Sequence, residues 1–172
     1  MEQTAVAILD AHRIMAISTV RPDGWPQTTI VGYANEGFDI FFLIFRSSQK
    51  FANIQHDDRI SIAIGDEPTS LQELTAVYAG ARAREVTDPK QREYAWRLLV
   101  RRHPNLADFK VPDFTKTALM LASCKHVSTL DFTQSLGHVE QLTLGGDDGV
   151  KTSFTKDEWG SAAGPTRAAR AK

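Results

Sequence analysis

Residues 40–64 read IFFLIFRSSQKFANIQHDDRISIAI. An apolar run from Ile40 to Phe45 enters a Ser-Ser-Gln-Lys turn at 47–50, a short helical stretch carries Phe51 and Ile54 three residues apart, and a second strand opens at Arg59 and alternates through Ile64. Ser47 or Ser48 can cap the helix, and Phe51 and Ile54 then face the core while Lys50 stays in the first turn. Such a turn gathers hydroxyls, free backbone N–H groups and one ammonium at the positive end of a helix, the chemistry that suits a phosphate. The plainer reading of the serines is that they cap the helix and do nothing more.

Any such anion has to be recognised locally. The chain has 172 residues, of which 42% are hydrophobic and 24% charged, an ordinary globular composition. Twenty basic residues face twenty-one acidic ones, a net charge of -1, so no global field favours nucleic acid or an anionic membrane, and neither is expected as a partner. The run Ile40–Phe45, the longest apolar one, is too short to span a bilayer. Cys124, the only cysteine, excludes an intramolecular disulfide, and no basic start with an apolar core suggests a secretory leader, so a cytoplasmic protein is expected.

Upstream of the opening stretch, Thr4–Ala11 predicts a short helix and Arg13–Val20 a strand. Arg21-Pro-Asp-Gly-Trp25 is a turn, Gln27–Ala34 the returning strand of a hairpin, and Asn35-Glu-Gly37 the reversal into Phe38–Phe45. Downstream, Leu74–Val86 is a long strand rich in small residues (Ala76, Ala79, Gly80, Ala81, Ala83), which suggests close approach of another element or a ligand. Asp88-Pro89 starts a helix running to Arg102, which Pro104 stops. Residues 105–114 form an ordered connecting loop, Thr117–Phe132 one or two strands, and His138–Leu144 the last strand. Short reversals between successive strands predict a mainly β fold, a six- to eight-stranded antiparallel barrel with peripheral helices. The domain is expected over 1–145, with 146–172 a partly disordered extension whose end, 162–172, frays.

This order of elements resembles the pyridoxamine 5'-phosphate oxidase-like family, the FMN-binding split β-barrels. The likeness is carried by Gly24-Trp-Pro26 with Gln27–Tyr33, the turn Ser47–Lys50, Asn53-Ile54, Asp58–Ser61 and Val77–Val86, and covers roughly residues 5–90. It implies an FMN phosphate on Ser48 and Lys50, with the Gln49 amide assisting, and the ring along Thr28, Thr29, Ile30 and Val31, which offer backbone groups to its pyrimidine edge. A further contact falls at Thr75. Where the oxidases carry an Arg and a Lys at the two ends of the ring strand, this chain has Thr28 and Tyr33, so two cationic contacts are absent, and the oxidase's substrate-phosphate residues have no counterpart near the C-terminus; the resemblance implies FMN as cofactor but not pyridoxamine phosphate as substrate. The resemblance also implies a homodimer with FMN between subunits. The reaction it implies is a redox step between a reduced nicotinamide or other small donor and oxygen or an organic acceptor. Relatives that hold flavin or haem without turnover, or that use a deazaflavin, supply the alternatives.

The remaining candidates are fewer. His12, His56, His103, His126 and His138 have no metal-ligand spacing, so no metal is expected. His138 heads a late strand, from which it could donate a proton to substrate or simply pack. Trp25 and Trp159 could stack on a ring or pack locally. Arg82 and Arg84 share one strand face, which permits an anion site and equally describes solvated charge.

Overall fold

The computed structural model describes residues 2–145 and the backbone of 152–157. Helix α1 (Glu2–Ala11) leads into β1 (Ile14–Val20), β2 (Pro26–Glu36) and β3 (Asp39–Phe45), followed by α2 (Gln49–His56) and β4 (Arg59–Gly65). Strand β5 (Thr75–Glu85), helix α3 (Pro89–Arg102), the long β6 (Thr117–Asp131) and β7 (His138–Thr143) complete the expected set. A further strand, β8 (Thr152–Asp157), lies in the stretch expected as an extension, brings the count to eight, and pairs antiparallel with β7. The end expected to fray, 162–172, lies outside the described residues, as does Trp159.

Every pairing is antiparallel, and β3–β6 closure makes a six-stranded barrel in the order β1-β2-β3-β6-β5-β4. Strand β6 is one continuous element of 15 residues that serves two partners on one edge. Its first half, from Thr117 to Ser123, pairs with β3, and its second half, from His126 to Leu130, pairs with β7. Strand β5 pairs along its other edge from Met120 to Asp131, with a register shift at Gly80 and Ala81 that leaves Lys125 of β6 as the extra residue. The barrel wall therefore forks at about Cys124.

The strands alternate as a half-buried sheet should. Met15, Ile17, Tyr33, Phe42, Ile62, Val77 and Met120 point into a single core, each at most 1% exposed. The small residues Ala79, Ala81 and Ala83 join that core, and α1 packs against β5, burying Ala5, Ile8 and Leu9. Helix α2 closes the barrel near β1 with Ile54 and Asn53 buried.

A second apolar cluster lies outside the barrel. Ala95 and Leu99 of α3 pack over Ala34 of β2, Phe41 of β3 and Leu119 and Leu121 of β6. The helix starts where Asp88 accepts from Gln91 N–H at 2.8 Å with Pro89 in the first turn, and its last residue, Arg102, ties it to α1. Nη1 of Arg102 donates to the carbonyls of Leu9, Asp10 and His12 at 2.7–2.9 Å, and Nη2 donates to Asn35 Oδ1 at 3.1 Å. These acceptors include the orphan carbonyls that end α1, so one guanidinium caps one helix with the end of another. Helix α3 covers the outer face of β2, β3 and β6. On the opposite face, formed by β1, β2, β4 and β5, Ile14 is 59%, Ile30 63% and Tyr78 44% exposed. Among the described residues, no helix is long and apolar enough to cross a membrane.

Candidate functional site

The turn at 46–48 and the start of α2 are held by local chemistry. Ser48 is the N-cap: its Oγ accepts from Phe51 N–H at 3.3 Å and donates to Phe45 O at 2.6 Å. Spacing decides between the two serines, because only Ser48 lies three residues before Phe51 and reaches that N–H. Ser47 is exposed. Arg46 is fastened outward, bidentate to the Glu85 carboxylate, donating to Phe114 O at 3.0 Å and lying over the Phe51 ring at 5.4 Å. Gln49 turns its amide inward to donate to Asn53 Oδ1 at 2.9 Å. Lys50 is half-buried and has no hydrogen-bond or ion-pair partner among the described residues. It is therefore the cation of this turn left free to meet an anion, beside the first N–H groups of α2, which a helix cannot satisfy internally.

Strand β2 supplies the other side. Its pairing with β1 runs from Pro26 to Gly32, whereas its pairing with β3 covers only Tyr33 to Glu36. Beyond Tyr33 the two strands part, opening a gap in the wall between the first half of β2 and the 46–48 turn. Tyr33 N–H donates to Arg13 O on the β1 side. Backbone groups alternate sides along a strand, so those of Thr28 and Ile30 face the gap. The side chains divide the other way: Thr28 and Ile30 are exposed on the outer face, while Val31 is buried and Thr29 Oγ1 is buried without a partner among the described residues. Thr28 Oγ1 shares a hydrogen bond with Ser18 Oγ at 2.7 Å. Tyr33 offers nothing to a ligand, because it is fully buried and its hydroxyl donates to Leu9 O at 2.7 Å.

Two of the residues expected at the site, Thr75 and His138, are not brought to this group within the single chain. Register carries Thr28 through Ser18 and Ser61 to Gly80, and Thr75 is five residues along β5 from that level, about 17 Å. Thr75 instead pairs with Asp131, whose carboxylate accepts from Thr133 N–H and Gln134 Nε2 and lies within electrostatic reach of the His138 ring. His138 is 7% exposed, with Nε2 3.5 Å from Glu140 Oε1. A single chain thus forms two groups: residues 28–31 with 47–50, and Thr75 with Asp131 and His138.

Several of the other cations are paired. Asp57 holds Arg59, with Nη2 to Oδ2 at 2.6 Å, and this guanidinium holds the Asp57 carboxyl well below the usual carboxylate range. Arg82 is paired with Asp58, while Arg84 is exposed. His12 Nε2 lies 3.0 Å from Asp66 Oδ1, and His103 Nε2 bonds to Tyr33 O at 2.9 Å. Burial pushes the Cys124 thiol up to about 12, which makes it a packing residue and no nucleophile. Trp25, 73% exposed in the first turn, packs on no ring among the described residues. Among the described residues, no three His, Cys, Asp or Glu side chains cluster to hold a metal ion.

Residues 1–131 match the family model described as pyridoxamine 5'-phosphate oxidase. The chain belongs to the pyridoxamine 5'-phosphate oxidase family. Solved structures share this family fold at low sequence identity. A haem-binding protein from Mycobacterium smegmatis is 15% identical with a TM-score of 0.68 over 90% of this chain and 57% of its own, so the chain spans little more than half of that protein. An FAD-binding protein from Mesorhizobium loti is 16% identical with a TM-score of 0.60, covering 75% of this chain and 93% of its own. General stress protein 26 from Bacillus anthracis is likewise 16% identical, with a TM-score of 0.59 over 76% and 93%. At such identities the likeness is one of fold. No curated protein matches the chain.

Proposed function

We propose that the protein is an FMN-binding oxidoreductase acting on a small molecule. The observation that carries this reading is the gap between β2 and the 46–48 turn, which has free backbone groups of Thr28 and Ile30 on one wall and the unpartnered Lys50 at a helix start on the other. The fit is that of a molecule with an amide-like edge at one end and a phosphate at the other. Lys50 and the α2 N–H groups would hold the phosphate, each charge-assisted bond contributing about 1.5–3 kcal/mol. Backbone groups of Thr28 and Ile30 would orient the ring edge, with Thr29 and Val31 holding the strand from inside. Gln49 and Ser48 support the turn through their bonds to Asn53 and Phe45. FMN when bound supplies the hydride chemistry, so no nucleophile is required of the chain.

The same reading includes a homodimer. The bare outer face, with Ile14, Ile30 and Tyr78 exposed, is the kind of apolar patch a second copy covers. Thr75 and His138, too far along the barrel to join the first group on their own chain, would meet the flavin of a partner, with His138 facing substrate. A reduced nicotinamide is the electron donor this reading takes first, and the cytoplasm the compartment where it would be met.

The absorption spectrum of the purified protein, as isolated and after titration with FMN, tests the assignment. Flavin bands with saturable binding are expected, followed by anaerobic bleaching on addition of NADH or NADPH. A Soret band would favour a haem carrier, and a protein that takes up no flavin would overturn the proposal. Flavin that binds but bleaches with no donor would leave a flavin carrier in place of an enzyme.

A further inference from the structure

Between the phosphate turn and the ring strand lies a buried side chain that belongs to neither. Asn53, 0% exposed, has its amide fully engaged. Oδ1 accepts from Gln49 Nε2 at 2.9 Å, and Nδ2 donates to Thr19 Oγ1 at 2.9 Å and to Gln27 Oε1 at 3.0 Å. Its carbonyl also accepts from Asp57 N–H at 2.8 Å, ending α2. Thr19 and Gln27 face each other across the β1–β2 ladder, and Gln27 immediately precedes Thr28. One amide therefore connects the first turn of α2, the end of β1 and the start of the ring strand.

Resting on the FMN reading above, we propose that Asn53 is a positioning residue that sets the distance between the phosphate anchor and the ring strand. The β2–β3 ladder does not fix that distance, because β2 and β3 part at Tyr33 and the turn leaves the end of β3, while the β4–β1 pairing reaches only the far end of α2. Arg46 ties the turn to Glu85 and Phe114, on the side away from β2. Phe51 and Ile54 pack α2 on the core, and across the gap the side-chain hydrogen bonds among the described residues are those of the Asn53 amide. A buried amide with every donor and acceptor matched holds one geometry, since any displacement leaves a polar group unsatisfied. It needs no contact with the ligand to matter: a molecule bound at both ends gains its affinity only when both ends are met at once.

The experiment compares FMN with riboflavin, which shares the ring and lacks the phosphate. Dissociation constants for both are measured by flavin fluorescence quenching on the wild type, Asn53→Leu and Gln27→Met, with circular dichroism as the check of folding. Leucine fills the volume of Asn53 without its bonds, and Gln27→Met removes only the tie to the strand, so the second variant decides should the first fail to fold. The wild type is expected to prefer FMN, and the variants to lose about tenfold of that preference while riboflavin affinity stays within about twofold. Folded variants that keep the wild-type preference, or that weaken both ligands equally, overturn the positioning role and leave the FMN site standing. A wild type that does not prefer FMN overturns the flavin reading itself.

Discussion

Lys50 and Arg102 are both cations at helix ends, and the fold treats them in opposite ways. Arg102 reaches across to α1, where three carbonyls, a carboxylate and an amide oxygen accept its hydrogens, and its guanidinium lies 5.9 Å from the Tyr33 ring. Lys50 sits at the opposite kind of helix end, where N–H groups face out, and has no partner among the described residues. A cation whose terminal nitrogens are engaged by several acceptors holds the fold together, whereas one kept half-buried and unmatched is available to a ligand. Arg46, four residues from Lys50, belongs with Arg102: its bonds to Glu85 and Phe114 fasten the turn.

Substitutions should separate the two kinds. Arg102→Ala should have the largest effect, lowering stability by about 2–4 kcal/mol in urea denaturation because it strips the caps from α1 and loosens α3, while FMN affinity in the folded fraction is kept. A stability loss below about 0.5 kcal/mol would place Arg102 among ordinary surface arginines. Lys50→Ala should do the reverse, leaving the urea midpoint unchanged and weakening FMN binding by about 1.5–3 kcal/mol in an equilibrium titration. An unchanged dissociation constant would remove Lys50 from the site. Ser48→Ala falls between, costing about 1 kcal/mol of stability as a lost helix cap and weakening FMN less than Lys50→Ala does.

Cys124 provides the smallest effect and a check with a sign. Burial, with the charge of Asp39 adding to it, raises the folded thiol to about 12 from an ordinary 9.0, so the fold favours the protonated form. Its contribution to stability is complete below the ordinary value and is lost as pH rises from there toward the folded one. A thiol reagent at mildly alkaline pH should leave the folded protein unlabelled and label one thiol per chain in denaturant. Rapid labelling of the folded form would show that the barrel opens at its fork.

What could be read in advance was what neighbours in sequence decide. A serine cap at 47 or 48, the Asp88 cap, the Asp23-Gly24 reversal and the alternating strands depend on residues within a few positions, and the structure has each of them, the serine cap at Ser48. The barrel closure came from the family resemblance and the run of short reversals. What the residues alone could not show depends on register between distant strands. The early parting of β2 and β3 that makes the gap, and the fork in β6, are properties of pairings no local pattern encodes. The acceptors of Arg102 on α1 stand as far as 93 residues away, so the sequence marks it only as the end of its helix. Asn53 was visible as part of the family pattern, but its role as a bridge needed Thr19 and Gln27 in place. Likewise the distance of Thr75 from Thr28 followed only once the β1, β4 and β5 registers were known.

A crystal structure of the protein with FMN tests the central claim most directly. It should show the phosphate within hydrogen-bond reach of Lys50 Nζ, about 3 Å, and the ring edge against the backbone of Thr28 and Ile30. Phosphate density at Arg84, or in the cleft of about 440 Å³ beside Arg13 and Arg101, with Lys50 left in solvent, would contradict it.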